Sequence, residues 1–161
     1  MEKKYKLTDE TINVGGKKLC RIEALKDFRD VKKGDKGGFI EDEHNLSHDG
    51  NSWVYGDACV YGDAMVYGDA WVYCGAMVYG NAMVFGDAKI ENNSDYIVFK
   101  NWWSSGRYFT WTRSNDMWKV GCFSGTGDEL IKKAYKDSEL SGRQYERIVK
   151  YVEEIKKEYG K

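Results

Sequence analysis

The chain has 161 residues, of which 42% are hydrophobic and 32% are charged, and its formal net charge is −1. This composition is typical of a soluble globular protein, and no apolar run approaches the roughly 18 residues that a membrane-spanning helix needs. The four cysteines form no C-x-x-C pair and no metal-ligand spacing. We therefore predict no metal, no cofactor and no membrane segment, and we expect a reducing cytoplasmic compartment.

The charges are distributed unevenly along the chain. Residues 1–39 carry 11 Lys and Arg against 7 Asp and Glu, residues 40–91 carry one against nine, and residues 92–161 carry 13 against 10. The middle of the chain is therefore an acidic block between two mildly basic ends. These three segments are also the predicted units: an N-terminal β cap, a repeat and a C-terminal α+β unit.

The N-terminal segment KYKLTDETINVGGKKLCRIEAL predicts strands on either side of a turn at Gly15-Gly16. Such an element would protect the first coil of a repeat stack, because the terminal units of such stacks need structured or polar covers.

The middle segment repeats one hexapeptide, VYGDACVYGDAMVYGDAWVYCGAMVYGNAMVFGDAKI, from Val54 to Ile90. A period of six does not fit an amphipathic helix, which needs about 3.6 residues per turn. Because six is even, a β-strand would keep its inward residue inward in every repeat. The Gly-Asp and Gly-Asn steps favour turns, so each hexapeptide predicts one short strand and one corner.

The repeat resembles the hexapeptide-repeat proteins, in which an aliphatic residue is followed four positions later by a small one, as Val54 is by Ala58. That resemblance implies a left-handed parallel β-helix in which three hexapeptides form one coil. Ile40 and Leu46 extend the pattern backwards, with a two-residue insertion in the corner at 48–52. The predicted fold is mainly β, with a short β-helix of about three coils between an N-terminal β cap and a C-terminal α+β cap.

Residues 18 apart should stack on the outside of such a β-helix and form ladders on all three faces. An apolar surface of this extent needs a cover, either the two caps and a second subunit or a binding partner. Tyr and Met are favoured at protein interfaces, so we take the outward aromatic residues as candidate partner-binding residues. They are Trp53, Tyr55, Tyr61, Tyr67, Trp71, Tyr73 and Tyr79.

The corners contribute a second set of candidate residues, Asp57, Asp63, Asp69 and Asp87. Regularly spaced carboxylates could imitate nucleic-acid phosphates and occupy a basic groove. The alternative is that each Asp is only a turn residue, and two of the three predicted columns are interrupted by Gly75 and Asn81.

The C-terminal segment predicts three antiparallel strands, YIVFKNWWSS, RYFTWTRS and MWKVGCFS, with turns at 104–106 and 115–116. Capping boxes at 126–129 and 141–144 predict the starts of two helices. Arg, Lys and Trp are interleaved on the strands, an arrangement that could bind single-stranded nucleic acid. The local charge is too modest for that function, so we assign these side chains to a core and its rim and do not expect direct nucleic-acid binding.

Familiar hexapeptide-repeat proteins are acyltransferases that use a histidine base and an acyl-coenzyme A cleft between the subunits of a trimer. His48, with Asp49 or Glu43 as its orienting carboxylate, is the only plausible base here. The long active-site loop of that family is missing, and no P-loop or G-x-S-x-G motif is present. We therefore predict no catalytic residue and retain the trimeric acyltransferase as the rival hypothesis.

The chain as a whole is similar to small bacteriophage and prophage proteins that combine such a repeat with similar ends. This resemblance implies a non-enzymatic protein of the host bacterial cytoplasm that blocks a host protein or ribonucleoprotein, such as a CRISPR effector or another defence complex. We also expect a homo-oligomer. A structural or assembly protein is the remaining alternative, and the sequence identifies no specific target.

Overall fold

The computed structural model describes residues 2–159 and has a β-rich fold with two helices. Strands β1 (Tyr5–Val14) and β2 (Lys17–Ala24) form the antiparallel hairpin that the Gly15-Gly16 turn predicted. Strand β3 (Lys36–Ile40) pairs antiparallel with β2 and parallel with the first sheet of the repeat. The N-terminal hairpin therefore continues a sheet of the repeat rather than forming a separate layer.

The repeat forms short parallel strands whose paired residues are 18 positions apart, as the resemblance to hexapeptide-repeat proteins implied. These strands belong to three sheets with the orders β3-β5-β8, β4-β7-β10 and β6-β9, the first of which is extended by β1 and β2. The strands are β4 (Trp53–Val54), β5 (Cys59–Val60), β6 (Met65–Val66), β7 (Trp71–Val72), β8 (Met77–Val78), β9 (Met83–Val84) and β10 (Lys89–Ile90).

The backward extension of the repeat is confirmed by two pairings that are 20 residues apart. Ile40 pairs with Val60, and Leu46 forms a parallel bridge with Val66. Gly50 then lies against Gly68, its equivalent 18 residues later, with 2.5 Å between an ideal Cβ of Gly50 and the Gly68 carbonyl oxygen. The two inserted residues are therefore 48 and 49, and the backbone at Gly50 (φ 70°) has no room for a side chain.

The core of the repeat consists of the two positions that recur in every hexapeptide. Their side chains are at most 2% exposed, and burial of this many aliphatic groups supplies most of the stabilisation of the stack. They are Val54, Val60, Val66, Val72, Val78, Val84 and Ile90, together with Ala58, Ala64, Ala70, Ala76, Ala82 and Ala88.

The C-terminal sheet has four antiparallel strands, not the three that the sequence predicted: β11 (Tyr96–Lys100), β12 (Tyr108–Thr112), β13 (Met117–Val120) and β14 (Phe123–Gly125). The third predicted strand is divided at Gly121, whose positive φ of 57° makes a turn there. On β11, Tyr96 and Val98 pack against the core of the repeat, whereas Ile97 and Phe99 pack towards the helices.

Two helices cover the far side of this sheet. Helix α1 (Gly127–Asp137) begins as predicted, with the Thr126 hydroxyl accepting a hydrogen bond from the Glu129 N–H. Helix α2 (Glu139–Tyr159) begins before the predicted capping box, so that prediction is wrong. Ser141 lies inside the helix, where its N–H donates to the Ser138 hydroxyl, and Ser138 supplies the cap instead. Neither helix of residues 2–159 is long and apolar enough to cross a membrane.

Candidate interaction surface

The ladder on β4 and β7 is covered by the loop at 25–35. The Phe28 ring lies 5.2 Å from the Trp53 ring, and the Arg29 guanidinium lies 4.0 Å from the centre of the Trp71 ring. The Tyr55 hydroxyl donates a 2.8 Å hydrogen bond to Asp30, and burial together with this carboxylate raises the pKa of Tyr55. Trp53 is 1% exposed. Of the predicted binding residues on this face, Trp53 is therefore a core residue, and Tyr55 and Trp71 are half-buried.

The ladder on β6 and β9 is covered by the C-terminal sheet. The Tyr67 and Phe85 rings lie 4.8 Å apart, and the Lys119 ammonium on β13 lies 4.7 Å from the centre of the Phe85 ring. Burial raises the pKa of Tyr67 to about 12. Met65, which is 43% exposed, is the accessible part of this face.

The ladder on β5 and β8 is covered only in part, because Cys59 and Phe39 are buried and the Arg21 guanidinium lies 4.2 Å from the centre of the Phe39 ring, whereas its tyrosines remain accessible. The Tyr61 and Tyr79 rings stack at 5.3 Å with an angle of 8° between their planes. Tyr79 is 47% exposed, more than any other aromatic side chain of the repeat. Tyr61 packs against a buried apolar cluster of Leu19, Phe39 and Cys59, which lies on the same side of this sheet. We call this surface the tyrosine face, and Tyr73, which lies beside Trp71, is outside it.

The tyrosine face extends onto the N-terminal hairpin. Ile12 and Val14 of β1 pack against the same apolar cluster, as does Met77 of β8. Desolvation raises the pKa of Cys59, so its thiol stays protonated at neutral pH and behaves as a small apolar group. The sequence did not indicate this continuation, because it depends on the pairing of β2 with β3, and β2 lies outside the hexapeptide pattern.

The four corner carboxylates are all exposed, but most are engaged. Asp57 forms an ion pair with Arg21 at 3.2 Å, Asp69 accepts a hydrogen bond from Asn51, and Asp87 accepts one from Asn115. Asp63 forms no hydrogen bond or ion pair with any residue in the range 2–159. It follows Tyr61 by two positions, so a free carboxylate borders the tyrosine face.

His48 packs against the N-terminal strand and has no free lone pair. Its Nδ1 accepts a hydrogen bond from the Lys4 N–H, its Nε2 lies 2.9 Å from Glu43 Oε1, and its ring stacks on Tyr5 at 4.2 Å. A general base must have a lone pair within reach of its substrate, so this arrangement supports a structural role. Residues 2–159 contain no group of three or more His, Cys, Asp or Glu side chains suited to a metal ion.

The sequence analysis missed the side chains that satisfy the open edges of the repeat. At the first coil, the buried Lys4 ammonium donates to the Ser52 carbonyl at 2.7 Å, and the buried Tyr5 hydroxyl donates to the Leu46 carbonyl at 2.6 Å. At the last coil, the Met83 N–H donates to the Thr110 hydroxyl at 2.8 Å. Nothing in the sequence marks these pairs, since the partners are 27 to 48 residues apart.

Comparison with known proteins supports the repeat and no more. The family model described as YdcK beta solenoid repeat matches residues 58–73, which include β5, β6 and β7. None of the curated proteins compared matches the chain. The match covers a small part of the chain, and it agrees with the 18-residue register of the parallel strands. The chain therefore contains a β-solenoid repeat.

Proposed function

We propose that this protein is a non-enzymatic binding protein whose tyrosine face and neighbouring acidic corners block a host macromolecule. The observation that carries the proposal is the Tyr61–Tyr79 stack, because Tyr79 is 47% exposed whereas Arg29 and Lys119 lie over aromatic rings of the other two faces. Stacked, half-exposed tyrosines on an apolar support are typical of the centre of protein interfaces. The proposal includes a left-handed coiling of the β-helix, which rests on the resemblance to hexapeptide-repeat proteins.

The charge of the repeat indicates the kind of partner. Residues 40–91 carry nine carboxylates and one lysine, and Asp63, two positions after Tyr61, is unpaired among residues 2–159. Such a surface is complementary to a basic groove that normally holds nucleic acid. The resemblance to small phage proteins makes a bacterial defence ribonucleoprotein, such as a CRISPR effector, the proposed target class.

A competition experiment with purified CRISPR effector–guide complexes tests this proposal. We expect the protein to reduce target-DNA binding, and the Tyr79→Ser and Asp63→Asn variants to lose at least about tenfold in potency, as is usual for central interface residues. Tyr135→Ser is the control, because Tyr135 on α1 is 38% exposed but lies away from the repeat. An inhibitor whose potency is unchanged in the Tyr79→Ser/Asp63→Asn double variant would contradict the assignment of the surface.

The rival hypotheses give different results. A trimeric acyltransferase would bind acyl-coenzyme A and lose activity in His48→Ala, although the contacts of His48 leave it no free lone pair. A structural or assembly protein would form a stable homo-oligomer in sedimentation experiments and leave every effector active. Failure to inhibit, combined with a stable oligomer, would favour that second alternative.

A further inference from the structure

We propose that a groove in the C-terminal unit binds a small organic anion, with an apolar or aromatic body and one phosphate or carboxylate head. The groove lies between the loop at 101–107, the turn at 121–122 and the two helices, and its volume is about 500 Å³. Ligand pockets typically measure about 300–1,000 Å³. This site is separate from the tyrosine face and does not depend on the function proposed above.

The floor of the groove is apolar and its rim is polar. Leu130 and Ala134 of α1 are each 2% exposed, and Val120 and Phe123 of the sheet line the same space. Serine residues from the loop and from the helix junction line the opposite rim. An apolar floor with a few polar groups at one side is the usual arrangement of a small-molecule site.

Arg107 supplies a positive charge at the groove. Its guanidinium lies directly on Gly121, where a Cβ would overlap it, so the glycine allows the side chain to lie flat against the turn. The guanidinium forms no ion pair within residues 2–159. A planar guanidinium without a partner can donate two parallel hydrogen bonds to a phosphate or carboxylate.

Tyr145 supplies a second donor at the bottom of the groove. Its side chain is 7% exposed, and its hydroxyl oxygen accepts only a long 3.5 Å hydrogen bond from Asn101. Its hydrogen has no acceptor among the described residues. Burial raises the pKa of Tyr145, although Asn101 and Arg107 oppose the shift, so the hydroxyl stays protonated and can donate. A buried hydroxyl without an acceptor is costly unless a ligand or water accepts its hydrogen.

The charges around the groove favour an anion over a cation. Its charged side chains are Arg107, Lys133 and Asp137, and the last two already form an ion pair at 3.6 Å. The positive charge of Arg107 is therefore left for a ligand, and the Tyr145 hydroxyl lines the same groove. The apolar floor then accommodates the body of the ligand.

Calorimetric titration of the full-length protein with phenyl phosphate and with benzoate tests the proposal, and the two probes distinguish the two head groups. We expect at least one of them to bind with a Kd below about 1 mM, and phenol and inorganic phosphate to bind at least about tenfold more weakly. Arg107→Gln should weaken binding by about tenfold or more, because a charge-assisted pair is lost.

Arg143→Gln is the matched control, because Arg143 on α2 pairs with Glu139 and does not line the groove. Thermal unfolding verifies that each variant is folded, and Arg107→Met, which also removes the charge, serves in place of Arg107→Gln if the latter is not. The proposal is overturned if neither probe binds the folded wild-type protein at 5 mM, or if Arg107→Gln and Arg143→Gln bind the probe equally well.

Discussion

Replacement of Tyr5 by Phe removes one buried hydroxyl and keeps the ring. That hydroxyl donates to the Leu46 carbonyl at 2.6 Å and lies 3.1 Å from the Glu43 carbonyl, and the side chain is 0% exposed. The ring would still stack on His48 and contact Trp53 edge to face. The variant therefore tests whether hydrogen bonds to the first coil stabilise the end of the repeat.

The expected loss follows from the burial of these groups. Leaving a buried carbonyl without its donor costs about 1–3 kcal/mol, so we expect the free energy of unfolding to fall by about 2 kcal/mol. In a protein of this size that corresponds to a decrease in Tm of about 4–8 °C. Water could reach the carbonyl only if the N-terminal strand moved away, which would also cost stability.

Urea denaturation followed by tryptophan fluorescence measures this difference. The control is Tyr79→Phe, which removes a hydroxyl from a side chain that is 47% exposed, and which we expect to change stability by less than about 0.5 kcal/mol. An unchanged urea m-value would show that the comparison is valid. If both variants were equally stable, the Tyr5 hydroxyl would contribute nothing to holding the first coil, and the reasoning would be refuted.

Two further predictions concern the same capping contacts. Burial lowers the pKa of Lys4 from its ordinary 10.5 to about 8, so between about pH 8 and 10.5 the unfolded chain holds a proton that the folded protein has lost. From pH 8 to 9.5 the stability of the wild type should therefore rise by at most about 2 kcal/mol relative to Lys4→Met in urea denaturation, and parallel pH profiles would contradict this. Thr110→Val should cost about 1–3 kcal/mol in the same assay because it leaves the Met83 N–H unsatisfied, whereas Thr110→Ser should retain most of the stability; equal losses in both variants would exclude the hydroxyl as the cause.

The repeat could be predicted from the sequence because its information is local and periodic. An even period sets which residues point inward, as the buried Val54 and Ala58 positions show, and the resemblance to hexapeptide-repeat proteins supplied the 18-residue register. The same local reasoning predicted the hairpin at Gly15-Gly16 and the helix start at Thr126. It failed at Ser141, because two serines three positions apart compete for one cap and the sequence does not indicate which one precedes the helix.

The covering of the faces could not be predicted, because it depends on contacts between distant segments. Arg29 lies over Trp71 from a loop 42 positions earlier in the chain, and Lys119 lies over Phe85 from a strand 34 positions later. Both contacts pair a cation with an aromatic ring, which can be attractive for many combinations of Lys, Arg and aromatic residues in this chain. Composition therefore cannot select among them.

Contacts between distant segments also determine which aromatic ladder of the repeat stays accessible. The hexapeptide places an aromatic ladder on every face, so the repeat alone cannot distinguish one face from another. The loop at 25–35 covers one ladder and the sheet that contains β13 covers a second, while the N-terminal hairpin joins the third face edge to edge and extends it. Strand β2 pairs alongside β3, and its Leu19 is buried with Phe39 and Cys59, while Tyr79, which stacks on Tyr61, stays 47% exposed. The caps thus both complete the fold and determine which aromatic side chains of the repeat stay accessible.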